Sequence, residues 1–178
     1  MTMSAALVLT GSPGSGKSSV LDALSTLLEI DAIAFGAIES EQLARGWPWL
    51  AISESLRQLA AVTDLQRAAG RDLFLVVATT ETSLELQEVI DALAVDRVLV
   101  VCLYAPPEVV AGRIAVRESD AWPGKRPLIA HARELAMSMR AITGIDVVLD
   151  TDGRSAVVVA AQVLALLRDH DLIPSRDV

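Results

Sequence analysis

Apolar positions along this chain fall into two alternating kinds of segment. Short, almost wholly apolar runs bounded by turn residues alternate with longer stretches in which apolar side chains recur every three or four positions. The short runs predict strands over residues 5–10, 32–35, 73–79, 97–104 and 146–150, and the central ones are nearly continuous in apolar residues, as strands covered on both faces are. The longer stretches predict helices. One follows residue 18 with Val20, Leu21, Leu24, Leu27 and Leu28 on one face, and one runs over 53–69 and stops at Gly70. Thr82-Ser83-Leu84-Glu85 is a capping-box pattern that opens a helix with Leu86, Val89, Ile90 and Leu93 on one side. Further helices follow Pro107, span 127–143 before Gly144, and begin after Gly153 with Ser155 as cap and Val158, Val159, Val163, Leu166 and Leu167 inward. Strands and helices in strict alternation predict a three-layer α/β/α sandwich around a five-stranded parallel sheet, one domain over residues 1–178.

The turn after the first predicted strand carries the most specific signal. Gly11-Ser12-Pro13-Gly14-Ser15-Gly16-Lys17-Ser18 spells G-x-x-x-x-G-K-S between an apolar strand and an amphipathic helix, the context a phosphate-binding loop requires. Gly11, Gly14 and Gly16 let backbone and phosphate approach, so the amides of Ser12, Ser15 and their neighbours can converge on an anion. Lys17 adds a point charge for the β- and γ-phosphates, Ser18 a hydroxyl for Mg²⁺, and Ser19 lies within reach of an α-phosphate. The expected ligands are ATP and Mg²⁺.

Composition narrows the partner. At 178 residues, 52% hydrophobic, the chain can bury one substantial core, and its net charge of −8 without a basic stripe lacks the footprint of a nucleic-acid binder. The longest apolar stretches, 97–103 and 155–167, are shorter than a membrane span, and the N-terminal apolar run feeds straight into the phosphate loop, so the reading is a cytoplasmic protein without a membrane partner, monomer or homodimer. Cys102, the one cysteine, lies in an apolar run and reads as a core residue; with only His131 and His170 there is no Cys/His metal pattern, and His131 reads as a surface residue.

Ligands of parallel α/β sheets bind at the carboxyl ends of the strands, which selects among the remaining polar residues. After the second predicted strand stand Glu39 and Glu41. Glu39 is the first choice for a base that orients an acceptor hydroxyl and takes its proton, against the alternative that both acids favour a short helix N-terminus; for Glu41 the helix reading is preferred. Arg45, Trp47 and Trp49 line an acceptor pocket or pack, on equal terms. The third strand ends in Thr79-Thr80-Glu81 where many P-loop ATPases have an aspartate, leaving Ser18 as the metal residue and Glu81 mainly as a helix-start residue. Arg113 and Arg117, four apart, share one helix face and precede a stretch with two prolines, a glycine, Lys125 and Arg126. A lid over about 118–127 would close on the phosphates, with Arg126 preferred to Lys125 as its contact.

From the phosphate loop through this arginine pair, lid and final strand, the chain resembles small P-loop kinases of the nucleoside-monophosphate-kinase-like group, including gluconate kinase, shikimate kinase, adenylylsulfate kinase and chloramphenicol phosphotransferase. Phe35-Gly36 followed by an acid is similar to the antibiotic phosphotransferase, whose base is an aspartate; here the acid, Glu39, stands one residue further along. The resemblance implies a P-loop NTPase fold, with Thr151, Gly153 and Arg154 beside the adenine. It implies a phosphotransferase in which Lys17, Glu39, Arg113, Arg117 and Arg126 act on the transferred group and a small-molecule hydroxyl accepts it. Arg57, Arg67 and Arg71 are scattered, so a neutral or hydroxyl-bearing acceptor is preferred. The alternatives are a nucleoside or nucleotide kinase, and a regulatory P-loop ATPase without a small-molecule acceptor.

Overall fold

The computed structural model describes residues 3–175. Five parallel strands, β1 (Ala5–Thr10), β2 (Gly36–Glu39), β3 (Leu73–Val77), β4 (Arg97–Tyr104) and β5 (Val147–Asp150), form one sheet in the order β2-β3-β1-β4-β5. The helices are α1 (Lys17–Ile30), α2 (Ser40–Leu43), α3 (Ile52–Ala68), α4 (Ser83–Leu93), α5 (Pro107–Arg117), α6 (Lys125–Ser138) and α7 (Ala156–Asp169).

Alternation along the strands assigns the two faces. Leu7, Leu9, Leu73, Leu75, Val77, Leu99, Val101 and Leu103 pack beneath α1 and α7, whereas Ala6, Val8, Phe74, Val76 and Val100 pack against α3 and α4. α1 buries Val20, Leu21, Leu24 and Leu28, as its period predicts. α7 buries Val159, Ala160, Val163, Leu164 and Leu167, so the expected inward Val158 instead lies exposed, one step off the buried stripe. Thr82 caps α4 through the Glu85 amide at 3.1 Å, and Ser155 caps α7 through the Val158 amide. Cys102 is fully buried, and burial pushes its thiol up to about 11, which suits a core residue and no nucleophile.

Three expected boundaries move, for physical reasons. The second strand is Gly36–Glu39 instead of 32–35, because α1 closes with Ala32 in the left-handed region (φ 54°) and the Ile33 amide returning to the Leu28 carbonyl. Residues 32–35 are spent on that turn, with Ile33 and Phe35 tucked against the core, and pairing starts where Gly36 meets Phe74. The third strand ends at Val77 instead of 79, since the Thr79 amide leaves the sheet for the Glu41 carboxylate. The helix expected over 127–143 is α6, two residues earlier, followed by a 3₁₀ turn, Met139–Ala141.

The arrangement predicts where stability resides. Leu7→Ala, in the fully buried centre of β1, should lower unfolding free energy by about 3 kcal/mol in urea titration, whereas Val116→Ala at a position 90% exposed should change it by less than about 0.5 kcal/mol.

Candidate active site

The loop between β1 and α1 is built around two glycines that nothing else can replace. A Cβ on Gly11 would stand 2.5 Å from the Leu103 carbonyl oxygen and the Ser15 hydroxyl, and one on Gly14 (φ 81°) would stand 2.7 Å from the Val110 carbonyl. Lys17 folds back over this loop, its Nζ donating to the carbonyls of Gly11 (2.6 Å) and Ser12 (3.2 Å). It is 8% exposed, and among the described residues no carboxylate forms an ion pair with it. Burial lowers its pKa to about 8, with the carboxylate of Glu41 opposing that fall. A buried, unpaired ammonium beside convergent loop amides and the N-terminus of a 14-residue helix fits the phosphates of a nucleotide.

Glu39 ends β2 at the sheet's carboxyl edge. Ile38 points to the α3/α4 face, so Glu39 points to the face where α1 begins, and Ser18 Oγ donates to its Oε2 at 3.0 Å. This pair of oxygen donors suits Mg²⁺, which takes one or two protein oxygens and completes its shell with phosphate and water. Among the described residues no cluster of three or more acidic, His or Cys side chains offers an all-protein cage.

Glu41, in the one-turn helix α2, stands between two cavities. One, of about 250 Å³, is lined by the phosphate loop with Ser18, Ser19, Arg117 and Thr79; the other, of about 360 Å³, lies between α2, α3 and α4 with Leu50, Leu56, Leu59 and Val89 in its wall. Glu41 and Thr79 border both, and Glu41 Oε1 accepts from the Thr79 amide at 3.3 Å. Glu39, the first choice from the sequence for a base, lines neither of these two cavities. Arg45, Trp47 and Trp49 are exposed and do not line the second cavity.

The arginines separate. Arg117 lines the phosphate cavity and also pairs with Glu118. Arg113 instead braces the loop: it donates to the Gly14 carbonyl (3.2 Å), the Thr151 hydroxyl (3.0 Å) and the Thr151 carbonyl (2.7 Å), while the Thr151 hydroxyl reaches the Ser15 carbonyl at 3.0 Å. A third cavity is lined by Ser15, Gly16, Ser19, Thr151 and Arg154 together with Arg113 of this brace; Gly153 takes φ 64° in the adjoining turn. In the stretch 118–127, where the sequence suggests a lid, the segment between α5 and α6 runs from 118 to 124 and α6 takes up the rest. Lys125 Nζ donates to the carbonyls of Ala115 and Glu118 and to Asp120, tying the turn to the end of α5. Arg126 lines a separate cavity with Asp120, Trp122 and Pro123, away from the phosphate loop. Glu81 precedes the α4 cap and meets the half-exposed His131 at 2.9 Å, which places both among surface contacts.

The buried ammonium gives a stability prediction with a defined sign. The unfolded chain keeps the Lys17 proton up to about pH 10.5 and the folded chain releases it near 8, so between these values the unfolded state binds more protons and folding gains stability as pH rises. Lys17→Met, which removes the unpaired charge, should stabilise the ligand-free protein at pH 7 by on the order of 1–3 kcal/mol, with the gap narrowing towards pH 10, and should abolish the thermal shift produced by ATP.

No family model matches the chain, and no curated protein matches its sequence. Solved structures do match over nearly their whole length. A gluconokinase from Sinorhizobium meliloti is 22% identical, covers 97% of this chain and 98% of its own, and superposes with a TM-score of 0.64. The APS kinase of Mycobacterium tuberculosis, solved with AMPPNP and APS, is 20% identical over 94% of this chain and 99% of its own, TM-score 0.62. Shikimate kinase from Acinetobacter baumannii, solved with shikimate, is 18% identical over 94% and 95%, TM-score 0.54. These three structural neighbours are small-molecule kinases, and this chain shares their P-loop NTPase fold, with a five-stranded parallel sheet in the order 2-3-1-4-5.

Proposed function

We propose that this chain is a Mg²⁺-dependent kinase that moves the γ-phosphoryl group of ATP to a hydroxyl of a small molecule. The observation that carries the reading is the junction of the two cavities at Glu41 and Thr79: a nucleotide held by the loop would present its terminal phosphate towards a second, largely apolar cavity of a size suited to a small organic molecule. A nucleotide-driven switch has no use for that second cavity. The complex of the APS kinase neighbour with AMPPNP supports the choice of ATP.

Lys17 and the loop amides bind and orient the phosphates. Ser18 and Glu39 are the residues that would hold Mg²⁺, which when bound offsets phosphate charge. Glu41 takes the acceptor's hydroxyl proton at its carboxylate, in place of the role the sequence reading gave to Glu39, because Glu41 is the acid shared by the acceptor and phosphate cavities. Arg117 supplies the cation on the transferred group, and Arg113 positions the loop through Gly14 and Thr151. Thr151, Gly153 and Arg154 flank the base.

Incubation with γ-labelled ATP, Mg²⁺ and hydroxyl-bearing compounds should place label on a compound. Glu41→Gln should lower kcat by about 10²–10⁴-fold while the ATP-induced thermal shift persists. Glu39→Gln should raise the Mg²⁺ concentration needed for half-maximal rate. Label reaching only water, whatever is added, would sink the kinase reading.

A further inference from the structure

The charge of the acceptor cavity narrows the substrate class, an inference that rests on the kinase reading above. The cavity is marked as an acceptor site by the wall it shares with the phosphate cavity; its side chains decide only what kind of molecule fits. Glu41, Glu81, Glu85 and Glu88 all border it, and among the described residues no lysine, arginine or histidine lines it. The cations of the neighbourhood, Lys17 and Arg117, line the phosphate cavity instead.

The carboxylates are not equivalent. Glu85 accepts from the Glu81 amide at 2.8 Å, Glu81 meets His131, and Glu41 accepts from the Thr79 amide. Glu88, half-buried and one turn further along α4, has no hydrogen bond or ion pair among the described residues. Beside these acids the wall is apolar, formed by Leu56, Leu59 and Val89. An anionic acceptor entering here would meet like charge with no compensating cation. A neutral one would strip water from the half-buried Glu88 carboxylate and give it no partner in return.

We propose that the acceptor is a hydroxyl-bearing amine, protonated at neutral pH and attached to an apolar body. Its ammonium sits in the field of Glu85 and Glu88, its apolar part lies against Leu56, Leu59 and Val89, and its hydroxyl faces Glu41. The acidic rim draws such a cation in and rejects sugar acids and other carboxylates. In the transfer itself the hydroxyl oxygen forms a bond to the γ-phosphorus, the bond to the bridging oxygen of ADP breaks, and the hydroxyl proton passes to Glu41; the ammonium takes no part and serves only recognition.

The test uses matched triples on phenyl, cyclohexyl and indole bodies: an amino alcohol such as phenylalaninol, its N-acetyl derivative, and the hydroxy acid in which carboxylate replaces the amine and the primary hydroxyl is kept, such as 2-benzyl-3-hydroxypropanoate. Label transfer from γ-labelled ATP is read as kcat/KM for each. The ammonium member of a triple should exceed its acetylated partner by about tenfold or more, chiefly through KM, and the ratio should shrink in 0.5 M salt, about the level at which such fields are screened. Glu88→Gln, an isosteric change at a side chain that holds no other residue, should reduce the same ratio about threefold or more. Acetylated or carboxylate members used as well as the amines, or a ratio untouched by Glu88→Gln, would overturn the ammonium proposal and leave the kinase standing. No label on any triple while label passes to another hydroxyl-bearing compound would overturn the ammonium proposal alone; label reaching only water, whatever is added, would overturn the kinase reading and this proposal with it.

Discussion

The site depends on one buried ammonium that, among the described residues, no carboxylate pairs with directly. Lys17 lies almost wholly out of solvent, held only by two loop carbonyls, and burial has already drawn its pKa down to about 8. Such an arrangement costs folding energy in the free protein, and on the proposed function a bound phosphate would recover it. The geometry around it exists to keep that charge in place. Gly11 and Gly14 admit the backbone of β4 and α5 at distances no side chain would allow, and Arg113 ties Gly14 to Thr151 at the end of β5.

From this centre the sheet order sets the rest. β1 is flanked by β3 and β4, so the phosphate loop opens at the carboxyl edge with β2 and β3 on one side and β5 on the other. The β2–β3 side carries Glu39, Glu41 and Thr79, and beside them the cavity between α2, α3 and α4; the β5 side carries Thr151 and Arg154, and with them the cavity beyond Ser15 and Gly16. The proposed reaction would run along this edge, with base, phosphates and acceptor in that order.

Much of this was legible in the chain. The strands of the sheet centre and the helix stripes on α1 and α4 follow directly from continuous and three-four apolar spacing, because burial on both faces or one face leaves few alternatives at those positions. The phosphate loop is legible because so few residue orders permit its backbone. What was not legible depends on contacts between distant segments. Edge strand β2 is short and pairs on one side only, so Ile33 and Phe35 look like strand residues although they belong to the turn after α1. With β2 at 36–39, its last residue, Glu39, reaches Ser18. Nothing local distinguishes Glu39 from Glu41; the Thr79 amide, 38 residues away, does so. Arg113 and Arg117 look equivalent by spacing, yet one faces Thr151 and the other the phosphate cavity. Four glutamates scattered from 41 to 88 become an acidic wall only when α2 and α4 are brought together.

The chain has two lysines, Lys17 and Lys125, so selectively labelled lysine gives two resolvable ammonium signals by NMR. The most direct test is to titrate both with and without a non-hydrolysable ATP analogue and Mg²⁺. The account predicts that Lys17 loses its proton near pH 8 in the free protein and keeps it well beyond that once the nucleotide is bound. A Lys17 that titrates near the ordinary 10.5 in the free protein, or that the nucleotide leaves unchanged, would contradict it.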